Sequence, residues 1–100
     1  MMILRWTYRA RKDLLSIGRY IAEDNPQRAR EWLNRLRIRA QKIPLAPLSG
    51  GIVPEIGRED LREVIERNYR IVYKIRPDSI DIITVFEGHQ LFPLESCPKD

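Results

Sequence analysis

Leu61-Arg62-Glu63-Val64-Ile65-Glu66, Arg67-Asn68, Tyr69-Arg70-Ile71-Val72-Tyr73-Lys74-Ile75-Arg76, Pro77-Asp78-Ser79 and Ile80-Asp81-Ile82-Ile83-Thr84-Val85-Phe86 run on without interruption. The three longer segments are rich in β-branched and aromatic residues, and turn-forming residues separate them, so the stretch reads as two β-hairpins sharing a central strand. Connections this short force antiparallel neighbours. In the middle segment Tyr69, Ile71, Tyr73 and Ile75 share one face, while Arg70, Val72, Lys74 and Arg76 share the other. That alternation predicts one wall of a core, with Tyr69 and Tyr73 inside it, and one basic, partly wet surface.

Upstream the period changes. Met2 to Thr7 is short and apolar and reads as an edge strand. From about Ala10, Leu14, Ile17 and Ile21 recur at helical spacing. Asp24-Asn25-Pro26 ends this helix and opens a second, with Asn25 suited to the N-cap and Pro26 to the first helical position. The second helix gathers Ala29, Trp32, Leu33, Leu36, Ala40 and Ile43 on one side; elsewhere it carries Arg28, Arg30, Arg35, Arg37, Arg39 and Lys42 against Glu31. Helices joined this tightly form an antiparallel hairpin whose apolar stripe can cover the sheet. Pro44 to Gly51 reads as a loop, with Gly50-Gly51 relaxing a turn, and Ile52 to Ile56 as a short edge strand limited by Pro54. Leu91 to Leu94 is an apolar tail and Glu95 to Asp100 a frayed end. The expectation is a single α+β domain, residues 1–100, with an N-terminal strand and an antiparallel helical hairpin packed on a small antiparallel sheet.

Composition narrows the function. A net charge of +4 and a pI near 9.6 favour acidic partners, either nucleic acid or an acidic protein segment. No apolar run approaches the roughly 18 residues of a membrane span, and the first residues lack a signal peptide's apolar segment. One cysteine, Cys97, excludes an internal disulfide and fits a cytoplasmic setting. With one His and one Cys no metal site is expected, and no Gly-rich phosphate loop implies a nucleotide cofactor. His89, just past the last strand, has two readings. It is a general acid or base with Arg58, Arg70 or Lys74 countering phosphate charge, or a strand-end histidine bonded to backbone. The Arg stripe of the second helix is a nucleic-acid surface, a solvated face, or the flank of an apolar groove for an acidic segment. Trp6 and Trp32 read as core residues or as binding hot spots.

Three pieces in series resemble the ParE/RelE superfamily of small bacterial toxins: Ala10-Arg11-Lys12-Asp13-Leu14-Leu15-Ser16-Ile17-Gly18-Arg19-Tyr20-Ile21, Asn25-Pro26-Gln27-Arg28-Ala29, and Leu61-Arg62-Glu63-Val64 with Tyr69-Arg70-Ile71-Val72-Tyr73. The resemblance implies a ParE-like toxin of a type II toxin–antitoxin module. Its partner would be a ParD-like antitoxin with a ribbon-helix-helix DNA-binding domain and an acidic tail. The two form a hetero-oligomer that reaches operator DNA through the antitoxin. For the toxin it implies either inhibition of DNA gyrase without catalytic residues, or ribosome-dependent cleavage of messenger RNA. Nucleases of the superfamily often carry a tyrosine near the C-terminus; here no Tyr follows Phe86, and Glu87-Gly88-His89-Gln90 replaces the frequent terminal pattern. Gyrase is therefore the expected target. If the chain is a nuclease, His89, Arg70 and Arg58 are its expected catalytic groups. Expected antitoxin contacts are Ile17, Trp32 and Leu36 through apolar surface, and Arg35, Arg39 and Arg70 through charge.

Overall fold

The computed structural model describes residues 2–100 and contains a five-stranded sheet with two helices on one face. Strand β1 (Ile3–Trp6) leads into α1 (Tyr8–Ala22) and α2 (Pro26–Gln41). Two single-turn 3-10 segments then carry the chain to β2 (Gly51–Ile52), β3 (Leu61–Glu66), β4 (Tyr69–Ile75) and β5 (Ser79–Glu87). The sheet order is β1-β5-β4-β3-β2. As the hairpins require, β3, β4 and β5 are antiparallel neighbours. Arg67 takes a positive φ of 57° in the two-residue turn between β3 and β4.

The sheet is not purely antiparallel. β1 runs parallel to β5, with Ile3 opposite Ser79 and Trp6 opposite Ile82. Its long connection through both helices permits a parallel return, which a hairpin loop does not. The expected edge strand at Ile52 to Ile56 shortens to Gly51–Ile52; Val53 beyond it is fully buried against the sheet. Gly50 is required by close approach, since a Cβ there would meet the Tyr73 hydroxyl and lie 2.7 Å from the Glu63 carbonyl oxygen.

Both helices start on side-chain caps. Thr7 accepts from the Ala10 amide and Asn25 from the Arg28 amide, with Pro26 at the first turn. The hairpin closes around Gly18, where an added Cβ would meet Leu33 Cδ1 at 2.8 Å. The main core lies between helices and sheet: Ala10, Leu14, Leu36 and Ala40 pack on Val64, Tyr69, Ile71, Tyr73, Ile80, Ile82 and Val85. The Tyr73 hydroxyl, at the core edge, donates to the Pro47 carbonyl at 2.5 Å.

One contact set explains why α1 sits where it does. β1 ends opposite Ile82, so β5 beyond that point has lost its neighbour on one edge. Thr7 Oγ1 donates there to the Ile82 carbonyl at 2.8 Å, and Asp13 accepts from the Val85 amide at 3.1 Å and the Thr84 hydroxyl at 2.5 Å. The N-cap of α1 and a side chain from its second turn thus complete the ladder that β1 leaves unfinished.

The opposite face of the sheet carries a second, smaller core of Val53, Val72, Ile83 and Phe86, with Ile56 and Phe92 against it. The residues expected to fray return across this face. Phe92 meets Phe86 edge-on at 5.5 Å, and Asp100 pairs with Lys74 at 3.3 Å and Arg76 at 3.0 Å.

Asp81 anchors one end of the sheet: it accepts two bonds from Arg5, one from Arg76 and one from Ser79. The Arg5 guanidinium is the main reason its carboxyl falls from 3.8 to about 2. A depressed folded-state pKa stabilises above the unfolded value and is lost as pH falls through the folded one, here between about 4 and 2. Asp81 contributes about 2 kcal/mol in this way. Thermal melts should therefore drop steeply over that window, and Asp81→Asn should flatten the drop. Parallel wild-type and variant curves would remove Asp81 as the cause.

Candidate functional site

Three surfaces carry the residues that sequence reading singled out. The first is the sheet face opposite the helices, expected to be basic and wet. The structure places Arg70, Lys74 and Arg76 there, yet each is neutralised. Arg70 donates to Glu55 at 2.8 and 2.9 Å and to Glu63 at 2.7 Å, and its guanidinium lies 5.1 Å from the Phe86 ring and 5.4 Å from the Phe92 ring. Its side chain is only 12% exposed. Glu55 is held at about 2, well below its usual 4.5, chiefly by that Arg70 bond. Lys74 is buried, with its ammonium between Asp60 at 3.7 Å and Asp100 at 3.3 Å. Arg58 donates to both Asp60 oxygens and to the carbonyls of Pro98 and Asp100. Asp100, gripped by Arg76 and Lys74, is likewise pulled down to about 2. His89 is exposed and follows Gly88, where an added Cβ would lie 3.8 Å from the Arg70 side chain. Of the three expected nuclease groups, Arg58 and Arg70 are each held by their own carboxylates, Arg58 by Asp60 and Arg70 by Glu55 and Glu63.

The second surface is an apolar groove of about 470 Å³ along the outer seam of the helical hairpin, between α1 and α2. Leu14, Leu15, Leu33 and Trp6 line it, and Arg11 and Arg37 flank it. Leu15 is 56% exposed and Trp6 and Leu33 are half-buried. Sequence reading did not place Leu15 or Arg11 at a site, and had Arg37 only as one cation of the α2 stripe. The available signal was Leu15 itself, an apolar residue beside Leu14 and off the Ala10–Leu14–Ile17–Ile21 stripe, which gives α1 a second apolar face.

The third surface is the opposite flank of α2. At about 100° per residue, Arg28, Arg35, Arg39 and Lys42 fall on one line, roughly half a turn around the helix from Leu33 and Arg37. Trp32 sits at its inner margin, edge-on to Tyr69 at 5.6 Å and covered by Arg35 at 5.2 Å. Ile17 lies elsewhere, in a larger cleft of about 840 Å³ shared with Tyr20, Tyr69, Phe86 and Leu91. Leu36 is fully buried in the main core and has no surface to offer a partner, because it lies on the line of Ala29 and Ala40 that faces the sheet. The six expected antitoxin contacts therefore do not form one face.

The family model for "ParE toxin of type II toxin-antitoxin system, parDE" matches residues 4–92. The chain belongs to the ParE toxin family. It is also 34% identical over 93 residues to "Putative toxin Y4kP" of Sinorhizobium fredii (strain NBRC 101917 / NGR234), covering 90% of this chain and 92% of that protein. A solved structure, "Chromosomal ParDE TA system from P. aeruginosa", superposes with a TM-score of 0.73 at 21% identity, covering 87% of this chain and 96% of that one. This likeness is one of fold: two helices on a five-stranded mixed sheet. As a ParE-type toxin of a type II system the protein has an antitoxin for a partner. The family signature on α1 now has a physical reading. In Ala10-Arg11-Lys12-Asp13-Leu14 of this ParE, Ala10 and Leu14 are the core contacts, and Asp13 is the bond to β5. The family match ends at Phe92, before the residues that carry Asp100 to Lys74 and Arg76. No helix is long and apolar enough to cross a membrane among the described residues.

Proposed function

We propose that this ParE protein inhibits DNA gyrase by binding, and that a ParD-like antitoxin neutralises it by laying an acidic amphipathic segment in the groove of Trp6, Leu15 and Leu33. The observation that carries the first half is the state of the sheet-face cations. A nuclease needs cations free to meet phosphate and a general acid or base within hydrogen-bond reach of the reacting oxygen. Arg58, Arg70 and Lys74 are instead held by Asp60, Glu55, Glu63 and Asp100. What supports the second half is chemistry: the groove is an apolar trough with an arginine on each wall, a fit for leucines flanked by carboxylates. Such a tail is disordered when free and folds on docking.

The test is expression of the toxin alone with pulse-labelling of protein synthesis, alongside a supercoiling assay with purified gyrase. Labelling should persist through the first minutes while supercoiling is inhibited, and His89→Ala should leave both results unchanged. Rapid collapse of labelling, with the same variant slowing messenger cleavage by about 10²-fold or more, would replace gyrase by the ribosome as target.

A further inference from the structure

The cationic flank of α2 is absorbed by neither half of that reading. Residues 8–42 carry ten Lys and Arg against four Asp and Glu, whereas the rest of the chain carries eight against ten. The positive charge of this protein is therefore a property of its helical layer. Within that layer Arg28, Arg35, Arg39 and Lys42 form a single row, and Arg67 at the β3–β4 turn joins it beside Arg28 and Arg35. Among the described residues none of these five side chains is in an ion pair, while the sheet-face cations all are. Two carboxylates, Glu31 and Glu66, border the row without pairing to it.

We infer that this row binds the phosphate backbone of duplex DNA directly, so that the toxin holds DNA through its own surface as well as through any antitoxin. An acidic peptide fits it poorly. Ile38 at 44% exposure is the one large apolar side chain open along it, since Trp32 is covered by Arg35 and Tyr69. A single strand would look for stacking platforms, and the row offers no open aromatic face. From Arg28 to Lys42 the helix rises about 21 Å, enough to reach from one backbone to the other across the roughly 12 Å major groove of B-form DNA. The deep, narrow major groove of duplex RNA does not admit a helix in this way. Contacts of this kind position the protein without reading bases. The inference rests on the row and not on gyrase or on the antitoxin groove.

The experiment is fluorescence anisotropy of a labelled duplex of mixed sequence with the full chain alone. With four or five phosphates neutralised, affinity should fall by about 10² to 10³-fold between roughly 50 and 200 mM salt. Combining Arg28→Gln, Arg35→Gln, Arg39→Gln and Lys42→Gln should abolish binding at the lower salt. Arg39 is half-buried, so a second variant keeps the test independent of folding: Arg28→Gln with Lys42→Gln, both exposed, should reduce the salt slope by about two. A control combining Lys12→Gln, Arg19→Gln, Arg30→Gln and Lys99→Gln removes equal charge from other surfaces and should retain most binding. Equal loss in row and control variants, or duplex RNA or single-stranded DNA competing better than duplex DNA, would overturn the proposal.

Discussion

Replacing Asp13 by alanine should destabilise the fold by about 3 kcal/mol, lowering the melting temperature by about 12–20 °C. The carboxylate accepts from the Thr84 hydroxyl, the Val85 amide and Arg9, and it sits where β5 has run out of β1. Thr84 is fully buried and Val85 nearly so. Removing Asp13 leaves two buried donors without acceptors, which costs more than the bonds themselves contribute. Asn at this position keeps one acceptor oxygen and should lose about half as much. Arg9→Ala removes two partly exposed ion pairs, with Asp13 and with Glu95, and should cost no more than about 1 kcal/mol. Urea denaturation of the three variants gives the ranking. If Asp13→Ala and Arg9→Ala were equal, the carboxylate would be a surface partner of Arg9 and not the link between α1 and the sheet.

The same residue shows where sequence reading stops. Asp13 is visible as part of a helical signature, but its purpose depends on β5 arriving 71 residues later beside a strand that ends early. Local information was sufficient for the hairpins of β3 to β5, for Asn25 and Pro26 at the start of α2, and for the stripe that buries Ala10 and Leu14. Each depends on neighbours within a few positions. The parallel pairing of β1 was illegible because a short apolar segment carries no mark of direction. The basic face failed for a related reason. Alternation says which side of β4 holds Arg70, Lys74 and Arg76, and says nothing about what crosses that side. Their partners come from Glu55, Asp60, Glu63, Asp81 and Asp100, and the last belongs to residues whose composition reads as a frayed end. Leu36 was misplaced at a partner surface because Trp32, Leu33 and Leu36 look alike in a stripe. Only packing separates the centre of that stripe, fully buried, from its half-buried margins.

Those margins lead to the second large expectation, a loss of antitoxin binding by about 10² to 10³-fold on changing Leu15 to Glu, equivalent to about 3–4 kcal/mol. Leu15 is more than half exposed, so the substitution should leave the fold intact. It removes an apolar contact from the groove and sets a carboxylate against an acidic segment, combining lost burial with repulsion. Arg11→Gln and Arg37→Gln should act differently, slowing association and weakening its salt dependence, because rim charges steer encounter more than they hold the complex. Arg35→Gln, on the far flank of α2, should leave antitoxin affinity unchanged even where it weakens DNA binding. Titration calorimetry with a synthetic antitoxin tail separates these outcomes, and co-expression of toxin and antitoxin reads them as growth. Were Arg35 and Arg39 to matter and Leu15 not, the tail would lie along the basic row. Antitoxin and DNA would then compete for one surface, and binding of either would exclude the other.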